Sequence, residues 1–352
     1  MVVSLLDPTK KILSPIIFGC IATELSEAEI DLFNDIRPFG LILFEHNCLN
    51  PTQLSDLIAQ FREVVGYKDA PVLIDQEGGR VTRLKPPHWR LPPPANTFAE
   101  IAKKNVEVAM RAAYLNARMI GKELASVGIS VNCLPVLDFP VVGAHEVIGD
   151  RALGRDSATI AKLGRSMCKG LIEEGVFPII KHIPGHGRAK TDSHKNLPIV
   201  DASIQELEET DFVPFKLLNE MPWAMTAHVV YSAIDNKRAA TISPIIINEI
   251  IRSKIGFEGL LVSDDIGMDA LSGSKGERAQ NILNGGCDLV LECSGNINDM
   301  YEVSSKVSPM KEETIKRINL AEKFKLNNQI NDSLSSLDAL EEFEELITKF
   351  IP

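Results

Sequence analysis

Several features that define other classes of protein are missing from this 352-residue sequence. No stretch approaches the roughly 18 apolar residues that a membrane-spanning helix needs. The opening segment MVVSLLDPTKK has its lysines after a short apolar run, which is not the layout of a secretory signal. A formal net charge of −11 argues against a nucleic-acid partner, because phosphate binding requires a basic surface. We therefore expect a cytoplasmic protein that binds neither membranes nor nucleic acid.

The cysteines and glycines also lack the spacings of common cofactor and metal sites. The six cysteines are scattered without a CxxC pair, and several lie in apolar runs such as IIFGC and SVNCLP. This favours buried free thiols in a reducing compartment over disulfides or a metal site. No GxGxxG follows an apolar run, which argues against a dinucleotide-binding Rossmann sheet. We expect no cofactor and no metal.

The sequence does contain a repeated alternation of short apolar runs and longer segments of helical period. Several runs are apolar throughout, as in parallel strands that are buried on both faces. Eight strands that alternate with helices predict a single α/β domain of the (β/α)8 TIM barrel class. The eight runs are SPIIFGC (14–20), GLILF (40–44), PVLIDQE (71–77), ISVNCLPVLD (129–138), VFPIIKH (176–182), WAMTAHVV (223–230), GLLVSDD (259–265) and DLVLEC (288–293).

Helix starts are marked by capping residues. Ser26 with Glu29 three residues later forms a capping box, and Asn50 precedes a proline that suits a first helical position. Further helices are expected from Ser203 and Ser243. We divide the chain into a catalytic barrel, residues 1–311, and a charged amphipathic tail, residues 312–352, that packs as helices on the barrel.

Ionisable residues are concentrated at one end of the predicted strands. The active site of such a barrel lies at the C-terminal ends of its strands. Buried charges are costly unless they are paired, hydrated or used, so a ring of them favours an enzyme. The residues at these ends are Asp75, Glu77, Asp138, Lys181, His182, His228, Asp264, Asp265 and Glu292.

The densest motif is KHIPGHGRAKTDSHKNLP (181–198). Asp192 lies two residues before His194, so the carboxylate can orient the imidazole and raise its proton affinity, which suits a general acid and base. The alternative is a metal bound by His182, His186 and His194. The proline and glycine between the first two histidines exclude the helix that would make their spacing useful.

Two further motifs carry candidate site residues. In LLVSDDIGMDAL (260–271), adjacent acids on a strand point to opposite faces, so Asp264 can enter the barrel mouth as a nucleophile. Asp265 is then expected to cap a helix that begins near Met268. In IDQEGGRVTRL (74–84), Asp75 can accept hydrogen bonds from sugar hydroxyls and an arginine can add donors. For Arg80 a salt bridge is an equally good interpretation.

Taken together, DQEGGRVTR, VIGDRALGRD, KHIPGHG-x4-DSH and VSDDIGM resemble the bacterial β-N-acetylglucosaminidases of glycoside hydrolase family 3. The similarity runs from about residue 19 to residue 293 and is greatest to the single-domain type that recycles cell-wall muropeptides. The resemblance implies that Asp264 is the nucleophile and that His194 is the general acid and base with Asp192 as its partner. It implies that N-acetylglucosamine is bound by Asp75, Arg83, Arg151, Lys181 and His182.

The implied reaction is retaining hydrolysis of terminal β-linked N-acetylglucosamine, from 1,6-anhydro-muropeptides in peptidoglycan recycling, by a monomer. The loop 185–195 is expected to swing to bring its histidine into place. His46, where an arginine often stands, and Ala239, where a proline is usual, depart from the family pattern and bear on loop shape and aglycone preference. The alternatives are a phosphorylase or a β-glucosidase on the same fold, a metal-dependent barrel hydrolase and a non-catalytic sugar-binding barrel.

Overall fold

The predicted barrel is confirmed. The computed structural model describes residues 13–191, 193, 197–330 and 336–350. Within these ranges, eight parallel strands close into a barrel in chain order. Two short strands, β6 Ile199–Val200 and β8 Val230–Tyr231, lie outside the barrel. The barrel strands are β1 Ser14–Phe18, β2 Pro38–Leu43, β3 Val72–Ile74, β4 Val131–Asn132, β5 Phe177–Ile183, β7 Trp223–Thr226, β9 Leu260–Asp265 and β10 Leu289–Glu292.

The apolar strands separate two layers of core. Neighbouring residues such as Ile16 and Ile17 are both fully buried, one against the outer helices and one inside the barrel. The inner layer includes Phe39, Phe177 and Trp223, whose rings stack or tilt against one another about 6 Å apart. A filled interior leaves the strand ends as the place for a site.

The third and fourth strands are much shorter than the apolar runs that predict them. Pro135 lies within the predicted fourth strand, and it lacks the N–H that a sheet ladder needs. Beside Asn132 side-chain bonds supplement the ladder, because the Asn132 amide accepts from the Gln76 N–H at 3.0 Å and donates to the Gln76 carbonyl at 3.0 Å. Past Pro135 the chain pairs with β5 again, but only through a single parallel bridge between Val136 and Lys181.

Helices surround the barrel, and the two predicted N-caps are confirmed. Ser26 and Glu29 form the capping box of α1, and the Asn50 side chain accepts from the Gln53 N–H at the start of α2. The first nine helices are α1 Glu27–Ile36, α2 Pro51–Val65, α3 Asn96–Ala102, α4 Val106–Ser126, α5 Ser157–Glu173, α6 Ile204–Glu209, α7 Phe212–Leu217, α8 Lys275–Gly285 and α9 Ile297–Lys306.

Two predicted helices differ in form from the expectation. The segment after Ser203 divides into α6 and α7, because Pro214 cannot supply an N–H inside one continuous helix. The segment after Ser243 is a π-helix, Ile246–Ile255. A short parallel sheet of β6 Ile199–Val200 and β8 Val230–Tyr231 also lies outside the prediction.

The C-terminal tail forms α10 Glu312–Asn328 and α11 Ser336–Phe350. Ile318 and Ala321 of α10 join the apolar cluster of the barrel interior, and the Lys325 ammonium lies 4.3 Å from the centre of the Phe177 ring. These contacts place α10 over the N-terminal ends of the strands, opposite the predicted site. None of the described helices is long and apolar enough to cross a membrane.

Candidate active site

A cavity of about 200 Å³ opens at the C-terminal ends of the strands. Apolar side chains such as Phe44, Met225 and Leu291 form part of its wall, and polar or charged side chains form the rest. The barrel therefore brings together six of the eight residues that the sequence proposes for the site. These are Asp75, Arg83, Arg151, Lys181, His182 and Asp264.

A network of opposite charges forms one side of the cavity. The Lys181 ammonium lies 2.9 Å from an Asp75 oxygen and 2.7 Å from a Glu77 oxygen. The other Asp75 oxygen accepts from the Arg83 guanidinium at 3.2 Å. The side chains of Lys181 and Glu77 are only 2% and 3% exposed, so these charges have exchanged water for one another.

Arg151 completes the network from the loop after β4. Its guanidinium donates to both oxygens of Glu77 at 2.8 Å, a two-bond geometry that fixes the direction of the fork. Arg80 holds the same loop, since it donates to the Asp150 carboxylate and to the carbonyls of residues 146–148. The salt-bridge interpretation of Arg80 is confirmed.

The network keeps its members ionised. Burial on its own raises the pKa of the Asp75 carboxyl, but the charges of Lys181 and Arg83 outweigh it and hold that pKa well below its usual range. Burial also opposes ionisation of Glu77, yet Arg151 and Lys181 bring its pKa down to about 2. For Lys181 burial lowers the pKa, while Asp75 and Glu77 raise it above its ordinary value.

A second buried carboxylate orients the histidines of the β5 end. One Asp138 oxygen lies 2.7 Å from Nδ1 of His182, and the other accepts from the backbone N–H groups of His182 and His186. Burial raises the pKa of Asp138, but His182 and these hydrogen bonds lower it to about 2. An ionised Asp138 fixes Nδ1 of His182 as a donor and leaves Nε2 for a ligand.

Asp264 differs from the other carboxylates of the cavity. Among the described residues, the only hydrogen bond to its carboxylate is the Asp265 N–H to Oδ1, at 2.8 Å. Burial raises the pKa of Asp264, but His182 and His228 outweigh burial, and the net shift is downward. The cavity therefore contains an ionised carboxylate that keeps one oxygen without a described partner.

Asp265 does not have the expected role. Its carboxylate accepts from the N–H groups of Gly267 and Cys293, so it closes a turn and holds the end of β10. The next helix, α8, begins only at Lys275 and is capped by Ser274. The prediction of a helix near Met268 is wrong, because the capping box that starts the helix is formed six residues further on, by Ser274 with Glu277.

Asp192 and His194 lie outside the described residues. Between them, Ser193 is buried, and its hydroxyl lies 3.1 Å from Nε2 of His186. Burial, followed by the nearby His182, lowers the pKa of His186 to about 4, so this ring is neutral at neutral pH. No group of three or more His, Cys, Asp or Glu side chains in the described part of the chain is arranged to hold a metal ion.

Sequence reasoning noticed three further polar residues of this mouth but assigned them no role. Glu77 binds the Arg151 guanidinium, Asp138 binds the His182 imidazole, and Nε2 of His228 lies 3.0 Å from the Asp265 carbonyl beside the cavity. Their position at strand ends was the available signal. Their partners come from other strands, so the sequence alone does not show which charge each one balances.

Comparisons with known proteins identify the family of this chain. Residues 19–323 match the model of the glycosyl hydrolase family 3 N terminal domain. A curated relative named beta-hexosaminidase, from Alkalilimnicola ehrlichii, is 36% identical over 289 residues, which are 80% of this chain and 81% of the relative. The similar beta-hexosaminidase of Neisseria meningitidis serogroup B is 37% identical over 285 residues, covering 80% of this chain and 78% of the relative.

Solved structures give the same result. Native NagZ from Neisseria gonorrhoeae superimposes with a TM-score of 0.83 at 30% identity, covering 97% of this chain and 98% of that one. A glycoside hydrolase family 3 beta-N-acetylglucosaminidase from Paenibacillus sp. str. FPU-7 gives 0.82 at 29% identity, covering 96% of this chain and 66% of that one. With a family match over most of its length, the chain belongs to glycosyl hydrolase family 3, which confirms the family and the glycosidase class predicted from its motifs.

Proposed function

We propose that this protein is a retaining β-N-acetylglucosaminidase that forms a covalent intermediate on Asp264. The names of its curated relatives and the family 3 match support the substrate class. The observation that carries the mechanism is the state of Asp264, a carboxylate with a lowered pKa and one oxygen without a described partner. Such a group can attack an anomeric carbon held in the cavity.

The charge network supports recognition of the sugar. Asp75 and Arg83 lie on one wall with Lys181 between the carboxylates, so acceptors and donors alternate along it. Vicinal hydroxyls both donate and accept, which suits such an alternation. His182 has its Nδ1 committed to Asp138 and offers Nε2 to a hydroxyl. We assign Asp75, Arg83, Arg151, Lys181 and His182 to the binding of N-acetylglucosamine.

The proton transfers are assigned to His194 with Asp192 as its partner. In the first step His194 protonates the glycosidic oxygen while Asp264 attacks, and the aglycone leaves as an alcohol. In the second step His194 removes a proton from water, which displaces Asp264 and restores the β configuration. The DSH spacing and its resemblance to the family pattern support this assignment.

The physiological substrate that we propose is the 1,6-anhydro-muropeptide released during peptidoglycan recycling. This rests on the resemblance of the motifs to the single-domain family members. The chain also superimposes on 98% of native NagZ from Neisseria gonorrhoeae, so the similarity to that neighbour extends over nearly its whole chain.

The first test is a substrate comparison with the purified protein. We expect hydrolysis of an aryl β-N-acetylglucosaminide to exceed that of the matching aryl β-glucoside, with the β-anomer as the first product by NMR. EDTA is expected to leave the rate unchanged. Phosphate is expected to produce no sugar 1-phosphate. Each of four results would contradict a part of the proposal. These are preference for the glucoside, the α-anomer as first product, loss of activity with EDTA, and formation of sugar 1-phosphate.

The second test is Asp264→Ala. Removal of the attacking carboxylate is expected to lower kcat by several orders of magnitude while the thermal midpoint changes little, because that carboxylate accepts a single hydrogen bond from the described residues. Azide can occupy the vacated space, so adding it is expected to restore turnover and yield the α-glycosyl azide. Asp269→Asn, five residues on and exposed, is the control and is expected to retain wild-type kcat. Ordinary turnover in Asp264→Ala would exclude Asp264 as the nucleophile.

The charge network predicts an acid limb in the stability profile, which is a fall of the thermal midpoint as the pH decreases. The folded pKa of Glu77, about 2, lies below its unfolded value near 4, so its contribution is complete above about pH 4 and is lost as the pH falls towards 2. Glu77→Gln is therefore expected to flatten the fall of the thermal midpoint between about pH 4 and 2. It also leaves Lys181 and Arg151 undercompensated, at a cost of roughly 3–5 kcal/mol near neutral pH.

Glu45→Gln is the matched control for that measurement. Glu45 pairs with Lys85 at 2.7 Å, but its side chain is 61% exposed, so solvent screens the pair. Its acid limb is expected to follow that of the wild type. Identical acid limbs for Glu77→Gln and Glu45→Gln would show that the buried network contributes nothing to acid stability.

A further inference from the structure

The segment that leads from β5 to the proposed acid-base dyad is held by a cluster of side chains that the reaction itself does not use. This Arg188 cluster consists of Arg188, Glu206, Thr210 and Asp211. Arg188 lies four residues before Asp192 and six before His194. Glu206 lies in the first turn of α6, and Thr210 and Asp211 form the junction between α6 and α7.

Arg188 uses its whole guanidinium in this cluster. Nε donates to Asp211 at 2.6 Å, Nη1 donates to Glu206 at 2.6 Å, and Nη2 donates to the Thr210 hydroxyl at 3.0 Å. The Arg188 side chain is 12% exposed and that of Asp211 is 1% exposed. A planar fork with three fixed acceptors allows few orientations, so it defines the position of its own backbone.

The backbone just before Arg188 is packed closely against its neighbours. A Cβ on Gly187 would lie 2.1 Å from the carbonyl oxygen of Phe139, the residue after Asp138. Gly185, at φ +142°, lies directly against Asp211, where a Cβ would be 3.1 Å from the Asp211 Cβ. The segment is therefore held between the α6–α7 corner and the strand end that orients His182.

Backbone bonds extend this attachment. The Tyr231 hydroxyl donates to the Gly185 carbonyl, and the His145 N–H donates to the Ala189 carbonyl at 2.8 Å. Beyond Ala189, Lys190 and Thr191 are exposed, and no hydrogen bond from either is described. Within the described part of the segment, Arg188 is thus the last residue before the dyad whose side chain makes several hydrogen bonds.

We propose that Arg188 is a positioning residue for acid catalysis in this enzyme. It fixes the point from which the chain reaches His194, and thereby limits the positions that the imidazole can take relative to the glycosidic oxygen. Proton transfer is sensitive to displacements of well under 1 Å, so loss of this attachment reduces catalysis without removing any group that touches the substrate. The inference rests on the proposed function, because it requires His194 to be the proton donor.

If Arg188 positions the acid, the loss of kcat/KM in its variants depends on the leaving group of the substrate. If Arg188 is merely structural, the loss is the same for every leaving group. A 2,4-dinitrophenolate departs without a proton, whereas a phenolate with a high pKa needs one. Arg188→Met removes the charge and the fork but keeps an unbranched side chain of similar length. We expect kcat/KM to fall about 10–100-fold for phenyl β-N-acetylglucosaminide and less than about threefold for the 2,4-dinitrophenyl compound. Arg188→Lys is expected to restore only part of the loss.

Arg252→Met is the matched control. Arg252 is also 12% exposed and pairs with the buried Asp288 at 2.9 Å, at the N-terminal ends of β9 and β10, whereas the cavity lies at the C-terminal ends of the strands. It is expected to lower the thermal midpoint and to leave both kcat/KM values in their wild-type ratio. Glu206→Gln, on a half-exposed partner, is expected to shift the ratio in the same direction as Arg188→Met but less, and it decides the matter if Arg188→Met does not fold.

Two results would overturn the positioning role. One is an equal loss of kcat/KM for the phenyl and the 2,4-dinitrophenyl substrates. The other is an unchanged kcat/KM in both Arg188→Met and Glu206→Gln. His194→Ala in the same series separates this from a failure of the proposed function. That variant is expected to lose about 100-fold or more with the phenyl substrate and little with the dinitrophenyl substrate. If His194→Ala shows no such difference, the assignment of the proton donor is wrong, whatever Arg188 does.

Discussion

Lys181 is a buried cation at the end of a barrel strand, and the rest of the site is arranged around the need to balance it. An unpaired ammonium at this depth would lose its proton or unfold its surroundings. Asp75 and Glu77 from β3 supply the balance, Arg83 and Arg151 then balance the excess of carboxylate, and Glu77 fixes Arg151 with two bonds. One buried charge thus ties β3, β5 and the loop after β4 into a single wall of the cavity.

This arrangement explains why four carboxylates in and behind the wall of one cavity have different partners. Asp75 and Glu77 are bound to cations, and Asp138 is bound to the imidazole and backbone of the β5 end. Oxygens of all three carboxylates are engaged with other groups of the protein. Asp264 belongs to the opposite side of the barrel, where two histidines lower its pKa without closing off both oxygens. The difference between the proposed nucleophile and the other three carboxylates is therefore set by their partners.

The sequence predicted the barrel and six residues of its mouth because both depend on local patterns, apolar runs and the polar residues that end them. It overestimated β4, since a continuous apolar run conceals the effect of Pro135, and it missed the break before α7. Pairings across the barrel were not predictable, because Asp75 and Lys181 are 106 positions apart. The role of Asp265 was wrong for the same reason, since Cys293 belongs to another strand. The division at residue 311, the cytoplasmic location, the monomeric state, the muropeptide substrate and the roles of all eight proposed site residues stay predictions.

The central claim is a covalent bond between Asp264 and the sugar. A 5-fluoro analogue of an activated N-acetylglucosaminide slows both chemical steps while a good leaving group keeps the first one fast, so the intermediate accumulates. Digestion and mass spectrometry of the labelled protein are predicted to place one fluorinated N-acetylglucosamine on the peptide that contains Asp264, at the carboxylate of that residue. A label on another residue would contradict the account. So would the absence of any adduct during turnover with retention, because that result would mean that the substrate's own acetamido group is the nucleophile.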